Sequence, residues 1–429
     1  MNHMRNQQHS ETTRMPVAIE ALPEPERITN LKVPGRTHSG QSARDADLEL
    51  LASAPDGFLD TTHFDTVRFP PPDWAHEVFV KAARDGEMAY SGYRGHPHVL
   101  RTVAGNLAAY LNIDIDPDEH LILTPGTQAG LFGALSSLAS PGDRVAIGCP
   151  EYLFSERILR FLGADVAPVP LHTFTNAMPS PDLDVLEREF RDNGARLFIF
   201  SNPNNPTGAV YGEDVLRSIA DLAIRYDVTV IVDELYARLI HGGQPLTHLR
   251  NLPGMAERTV TLLGPSKTES LSGYRLGVVV APAAIIKRME NVQSVTSLRA
   301  PAYAQSLLAH WLRDDAEWLA ARLPEFTALR TLTQQKLSQL PWLRLNMGEG
   351  TAYAWADVSA LQMPGDQVAQ ALMRKAGVLI SPGYQFGPNC DGFFRVCYAR
   401  DEKIWSDALD RMVKVLSMLA LNERAIASV

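Results

Sequence analysis

From Leu121 to about Pro282 the chain alternates between short apolar runs and amphipathic segments, and this alternation restricts the fold more than any other feature. The runs are LILT (121–124), RVAIG (144–148), DVAPVPL (165–171), RLFIFS (196–201), VTVIVDE (228–234), VTLLG (260–264) and GVVVAP (277–282). Segments of helical period lie between them: Gln128 to Ser140, Tyr152 to Leu162, Pro181 to Asp192 and Glu213 to Tyr226. A strand with one wet face alternates apolar and polar residues, whereas a strand covered on both faces reads as a continuous apolar run. The expectation is therefore an α/β fold on a mostly parallel, seven-stranded sheet with helices on both faces.

The pattern changes on either side. After Gln305 long helical stretches (about 303–339) lead to short strands near Leu343, Ala352 to Asp357, Leu379 to Ser381 and Phe394 to Cys397, then to a final helix from about Ile404 to Leu421. That part reads as a smaller α+β domain. The expected boundaries are 1–62 for an N-terminal arm and lead-in to the small domain, 63–308 for the large domain and 309–429 for the small C-terminal domain. Residues 1 to about 45 are polar without a sustained period and read as a flexible arm. The stretch FPPPDW (69–74) marks the start of a helix from about Ala75 to Asp85.

Composition narrows the functional classes. Lys plus Arg number 40 and Asp plus Glu 49, so the formal charge is −9, which argues against a general binder of nucleic acid or anionic membrane. The longest apolar stretches, such as Leu276 to Ile286, fall short of the ~18 residues that span a bilayer. The start, MNHMRNQQHSETTRMP, contains no apolar core of a secretory signal. Cys149, Cys390 and Cys397 form no CxxC pair, which argues against a disulfide framework and a zinc site. A soluble cytoplasmic protein without a metal is expected.

Four segments carry candidate chemistry. Lys267, in LLGPSKTESLSGYRLG, follows an apolar run among small residues. A lysine there is ordinarily a surface charge; with a depressed pKa it becomes a nucleophile that forms an imine with an aldehyde. Arg275 lies eight residues on, placed to meet a phosphate. SNPNNPTGAV (201–210) follows a strand and reads as a tight turn, or as a turn presenting an Asn amide at the carboxyl end of a sheet, where open α/β sheets bind ligands. Asp233 closes a very apolar run, in IVDELY, where a carboxylate needs a partner: a salt bridge at the sheet edge, or a protonated ring nitrogen. TPGTQAG (124–130) opens a helix whose backbone N–H groups suit a phosphate, though it lacks the GxxxxGK[ST] pattern of a nucleoside triphosphate loop.

Together these segments resemble the fold-type I pyridoxal-phosphate enzymes, specifically the class I/II aminotransferases. The resemblance spans roughly Leu59 to Met418. Its markers stand in order: Tyr90, Gly95, Leu100 and Arg101 of Y-x4-G-x4-LR, then GTQ (126–128), PEY (150–152), NPTG (205–208), DELY (233–236), SK-x7-R (266–275) and FRVCYA (394–399). The spacing agrees, with 28 residues from Asn205 to Asp233 and 128 from Lys267 to Arg395.

The resemblance implies pyridoxal 5'-phosphate held in the large domain, with Lys267 as the Schiff-base lysine and proton shuttle. It further implies Asp233 on the pyridinium nitrogen, Asn205 and Tyr236 on the phenolic oxygen, and Tyr152 stacked on the ring. Gly126, Thr127, Gln128, Ser266 and Arg275 are expected around the cofactor, chiefly at its phosphate. Tyr90 matches a tyrosine that reaches the neighbouring subunit's phosphate, so a homodimer is expected. Arg395 matches the arginine that grips the substrate carboxylate.

Two stretches depart from the pattern. Family members usually carry a small residue, often Gly, where DTTHFDTVRFPPP places His63, Phe64 and Asp65. His63 is either a packed or surface histidine, or an acid/base group near the substrate. Arg299 lies 32 residues after Lys267, either facing solvent or holding a distal substrate anion. The expected activity is amino-group transfer between an amino acid and a 2-oxo acid. The second reading keeps the cofactor but carries out elimination, replacement or cyclisation, on substrates as large as S-adenosylmethionine. The third is a non-catalytic ligand-sensing domain; it would come with a basic recognition helix, and residues 1 to 60 show none.

Overall fold

A computed structural model of the chain describes residues 23–31, 51–52, 54–86, 88–174, 179–243 and 245–427. Most of the expected N-terminal arm therefore lies outside the described residues; within it, Glu26–Thr29 forms one helical turn.

The large sheet contains β1 (Leu121–Pro125), β2 (Arg144–Cys149), β3 (Asp165–His172), β4 (Leu197–Ser201), β5 (Thr229–Asp233), β6 (Thr259–Leu263) and β7 (Leu276–Val280). Its spatial order is β1-β7-β6-β5-β4-β2-β3. The central pairs β6–β5, β5–β4, β4–β2 and β2–β3 are parallel, and β7 runs antiparallel to both its neighbours. These are the seven runs read from the sequence. An eighth strand, Ser180–Pro181, adds two residues beyond β3 and was not expected, because two residues are too few to carry a period. The expectation of seven strands is corrected to eight by this short edge.

Alternate residues of each strand enter different cores. Leu121, Leu123, Val278 and Val280 pack against the helix Pro97–Leu111 on one face. Ile122, Ile147, Ile199, Leu262 and Val279 pack against Thr127–Leu138 and Ala283–Thr296 on the other. Double coverage explains why the strands read as uninterrupted apolar runs.

A second, four-stranded sheet follows the order β8 (Arg344–Asn346), β9 (Tyr353–Asp357), β11 (Phe393–Cys397), β10 (Ser381–Pro382), and all its pairings are antiparallel. It packs with the helices Ala316–Leu337 and Glu402–Ala427 over a core centred on Trp405, Phe394 and Leu409. The helical stretch expected over 303–339 is in fact Gln305–Leu308 followed, after a break, by Ala316–Leu337. Leu59–Asp60 crosses to this part of the molecule and pairs in parallel with Val378–Leu379.

The parallel strands deliver their following turns to one end of the large sheet. Two of those turns, Asp233–Tyr236 and Ser266–Glu269, are fastened from behind by a buried ion cluster. Arg238 holds Asp315 through two hydrogen bonds of 2.7 and 2.8 Å, and its guanidinium also pairs with Glu269. Asp315 is fully buried at the start of the helix Ala316–Leu337. Burial pushes the Glu269 carboxyl up to about 7. Asp315→Ala is expected to destabilise the fold by about 3 kcal/mol, because it strands half of a buried guanidinium. Differential scanning calorimetry checks this: the midpoint drops by several degrees, while Arg313→Ala, which breaks an exposed pair with Asp314, leaves it nearly unchanged.

Candidate active site

A cavity of about 180 Å³ opens at the carboxyl ends of β4, β5 and β6, between the two sheets. Thr127, Tyr152, Asn205, Asp233, Lys267 and Arg395 all line it, though they come from six separate segments of the chain.

Arg395 sits in the middle of β11, only 4% exposed. Register places Trp355 of β9 and Ser381 of β10 directly beside it. One Nη donates to Asn205 Oδ1 at 2.7 Å, the other to the Thr62 carbonyl at 2.6 Å and to Ser381 Oγ at 3.1 Å. The guanidinium carbon lies 4.1 Å from the Tyr353 ring centroid and 4.9 Å from that of Phe386. Every acceptor is neutral. No carboxylate among the described residues lies within ion-pair distance, and the buried Nε has no partner among them. A cation buried this way is costly unless an anion joins it.

Lys267 follows β6, and burial lowers its pKa, with the neighbouring cations of Arg395 and Arg275 adding to the effect. Asp233 ends β5. Its Oδ1 accepts the Leu235 N–H at 3.0 Å, and burial pushes the carboxyl up to about 6. A lysine less charged than usual thus faces a carboxyl that lacks a counterion of its own. Tyr236, buried beneath them, shares a 2.8 Å hydrogen bond with the Tyr353 hydroxyl, and burial raises its pKa well above the usual tyrosine value.

The turns that carry Tyr152 and Asn205 are tied together by Glu151. Its buried carboxyl accepts the Ser201 N–H at 2.8 Å, the Ser201 hydroxyl at 2.6 Å, the Tyr152 N–H at 2.7 Å and an Asn204 N–H at 3.2 Å. Burial pushes it up to about 8 despite these donors. Asn204 in turn accepts the Thr207 hydroxyl at 2.6 Å, and Gly208 closes the turn with φ of +70°. A side chain at 208 would meet the Gly350 carbonyl at 2.7 Å. Tyr152 donates its hydroxyl to Gln128 at 3.1 Å, which fixes the ring at the cavity wall.

The residues expected at a phosphate, Gly126, Thr127, Ser266 and Arg275, gather around the start of the helix Thr127–Leu138. Gly126 precedes it with φ of +80°, and a Cβ there would lie 2.6 Å from an Arg275 nitrogen. Arg275 is therefore pressed against the helix start, where only glycine leaves room. The Thr127 hydroxyl reaches the Leu263 carbonyl at 3.4 Å and the Ser266 hydroxyl the Leu276 carbonyl at 3.2 Å, so both flank the same place. Free backbone N–H groups and a cation at one helix start form an anion site.

Six named residues do not line the cavity of this chain: Gly126, Ser266 and Arg275, which gather at the helix start, and Tyr90, Arg299 and His63. Tyr90 is 88% exposed, and Arg299 packs over its ring at 5.6 Å while donating to the Ser91 carbonyl. His63 keeps 61% of its side chain exposed and leans on Thr62 and Asp60. Partial burial and then Arg400 and Lys267 lower its pKa, against Asp60. Conversely, the sequence offered no sign of Thr62, Ser381, Tyr353 or Phe386 as neighbours of Arg395. Strand register brings Ser381 and Tyr353 there, while Thr62 and Phe386 arrive from a turn and a short 3-10 helix that carry no sequence period.

Known proteins agree with this geometry. The family model for aminotransferase class I and II matches residues 61–412. An aspartate aminotransferase of Pyrococcus horikoshii is 27% identical over 81% of this chain and 88% of its own. Kynurenine–oxoglutarate transaminase 3 of Mus musculus is 31% identical over 68% of this chain and 67% of its own. The crystal structure of an aspartate aminotransferase from Rhodobacter sphaeroides superposes with a TM-score of 0.82 at 35% identity, covering 85% of this chain and 95% of its own. With the family model covering most of the chain and a lysine, a carboxyl and an unpaired arginine meeting at the sheet's carboxyl end, the protein is an enzyme of the class I and II aminotransferase family.

Proposed function

We propose that this enzyme moves an amino group between an amino acid and a 2-oxo acid, with pyridoxal 5'-phosphate carried on Lys267. The observation that carries the reading is the buried, unpaired Arg395, whose free Nε and planar fork suit a substrate carboxylate. The residues in and beside the cavity suit the cofactor: Gly126, Thr127, Ser266 and Arg275 for the phosphate, Tyr152 for the ring face, Asn205 and Tyr236 for the phenolic oxygen, and Asp233 for the ring nitrogen. Bound there, the cofactor supplies an electron sink that acidifies the substrate Cα–H. Asp233, starved of a counterion, favours a protonated ring nitrogen. Arg395 holds the carboxylate and thereby sets which Cα bond faces Lys267. A lysine with a lowered pKa gives up and regains that proton more readily near neutral pH.

Three further points belong to the same reading. The chain divides at residues 62 and 308 into arm, large domain and small domain. It acts as a cytoplasmic homodimer, for which the exposed Tyr90, Val295 and Leu298, with Arg299 packed over the Tyr90 ring, supply a partner surface. From that surface Tyr90 and Arg299 serve the neighbouring subunit's site. Elimination, replacement or cyclisation is not favoured, since the relatives named above are aminotransferases.

Supplied with the cofactor, an amino acid and a 2-oxo acid, the enzyme is expected to form the exchanged pair, followed by chromatography. Lys267→Ala lowers the rate by about 10³-fold or more and abolishes the visible absorbance of lysine-bound cofactor. Exchange without loss in the variant would refute the assignment.

Asp233 gives a pH dependence. A carboxyl with a folded value near 6 and an ordinary unfolded value binds its proton more tightly when folded. Stability is therefore lost as pH rises from about 4 to about 6, and the deficit stays constant above that. Cofactor-free Asp233→Asn is expected to be more stable than the parent at pH 8, by at most about 3 kcal/mol, with the gap closing on acidification. Denaturant melts of both proteins across that range check the sign, and the same substitution weakens retention of the cofactor.

A further inference from the structure

Cys149 and Cys390 are 241 residues apart in the chain, yet their thiols converge on one backbone carbonyl. Cys149 ends β2, one residue before the Pro150–Tyr152 turn. Cys390 lies in the loop between β10 and β11 of the second sheet. Both thiols donate to the same acceptor, the Pro388 carbonyl, at 3.4 Å from Cys149 and 3.6 Å from Cys390. The loop backbone presses on the pair: a Cβ at Gly387 would lie 2.8 Å from Cys149 Sγ. Alongside, the Glu151 N–H donates to the Phe386 carbonyl at 2.9 Å. Cys149 is half-buried at the surface end of the contact, and Cys390 is buried beneath it.

The contact joins two parts of the active site. On one side, three residues from Cys149, stands Tyr152 at the cavity wall. On the other, four residues from Cys390, stands Phe386, whose ring lies 4.9 Å from the Arg395 guanidinium. The neighbouring Cys149 thiol and burial both push the Cys390 thiol up, which makes it the less readily ionised of the two. The half-exposed Cys149 is then the sulfur that a small oxidant meets, and Cys390 is the one in position to resolve it.

We propose that Cys149 and Cys390 form a reversible disulfide when the enzyme meets a hydroperoxide, and that this bond slows turnover by stapling the second sheet to the large one. The sulfur of Cys149 attacks the peroxide O–O bond, takes up one oxygen as a sulfenic acid and releases water or the alcohol. The Cys390 sulfur then attacks the Cys149 sulfur; the S–S bond forms, the S–O bond breaks, and the hydroxyl leaves with the Cys390 proton as water. The two thiols together lose two electrons and two protons, and the peroxide is reduced. A thiol reductant reverses the change. Turnover suffers because movement of one sheet against the other is what such sites use to admit substrate and release product. The cross-link itself does not depend on the reaction assigned above; its effect on turnover rests on that reading.

The test treats the cofactor-loaded enzyme with excess hydrogen peroxide, removes it, blocks remaining thiols and maps disulfides by mass spectrometry without reduction. A Cys149–Cys390 cross-linked peptide is expected, with Cys397, fully buried elsewhere, recovered as the blocked thiol. Amino-group exchange should fall several-fold, recover on treatment with dithiothreitol, and be insensitive to peroxide in Cys390→Ser. Oxidation of Cys149 to higher acids without the cross-link overturns the pairing. A cross-linked enzyme with unchanged exchange overturns the effect on turnover. Should no exchange be seen even before oxidation, the functional reading fails while the peptide map still decides the cross-link.

Discussion

A guanidinium buried without a carboxylate organises this molecule. Removing Arg395 from water costs several kcal/mol, and the protein returns only neutral acceptors: an amide oxygen, a backbone carbonyl and a hydroxyl. The faces of Tyr353 and Phe386 add cation–π attraction, worth about 2 kcal/mol or more in a desolvated setting. Each of these partners comes from a different segment: Asn205 from the large sheet, Thr62 from the N-terminal lead-in, Ser381 and Tyr353 from the second sheet. The arginine is thus the point at which the parts of the chain are held together.

The rest of the site follows from similar frustration. Asp233 and Lys267 are each pushed toward neutrality by burial, in a cavity where a cationic ring and an anionic phosphate would restore the balance. Glu151, pushed up to about 8, spends its oxygens on the backbone and side chains of two turns, so its role is to hold Tyr152 and Asn205 in place. The Arg238 cluster does the same from behind for the turns of Tyr236 and Lys267. Polar groups that would be liabilities in an ordinary core are here arranged so that the chemistry faces inward and the fasteners face away.

Much of this was legible from residue order. Continuous apolar runs separated by helical segments announced a doubly covered parallel sheet, and β1 to β7 stand within two residues of those runs. The motifs after the strands of the large sheet already put Asn205, Asp233 and Lys267 at one end, because a parallel sheet gathers its carboxyl ends at one side; Arg395, inside β11 of the other sheet, was singled out by its own motif. The edge strand Ser180–Pro181 escaped, since two residues have no period. Ser381 and Tyr353 escaped because strand register, which places them around Arg395, is a long-range property that local pattern does not encode, and Thr62 because its carbonyl meets Arg395 only through a long-range contact. The meeting of Cys149 with Cys390 was hidden for the same reason: no spacing rule links a strand end to a loop of another sheet. Tyr90, Arg299 and His63 were singled out by position in a pattern; within one chain Tyr90 and His63 are exposed, and Arg299 packs on the Tyr90 ring.

The central claim, that Arg395 is a carboxylate receptor, is tested most directly by calorimetric titration of the cofactor-loaded enzyme with two unreactive ligands of the same shape. One is a substrate-sized acid lacking the amino group, the other its carboxamide. The account predicts that the acid binds and the amide does so at least about tenfold more weakly, since only the acid neutralises the buried guanidinium. Equal affinity for the two would contradict it.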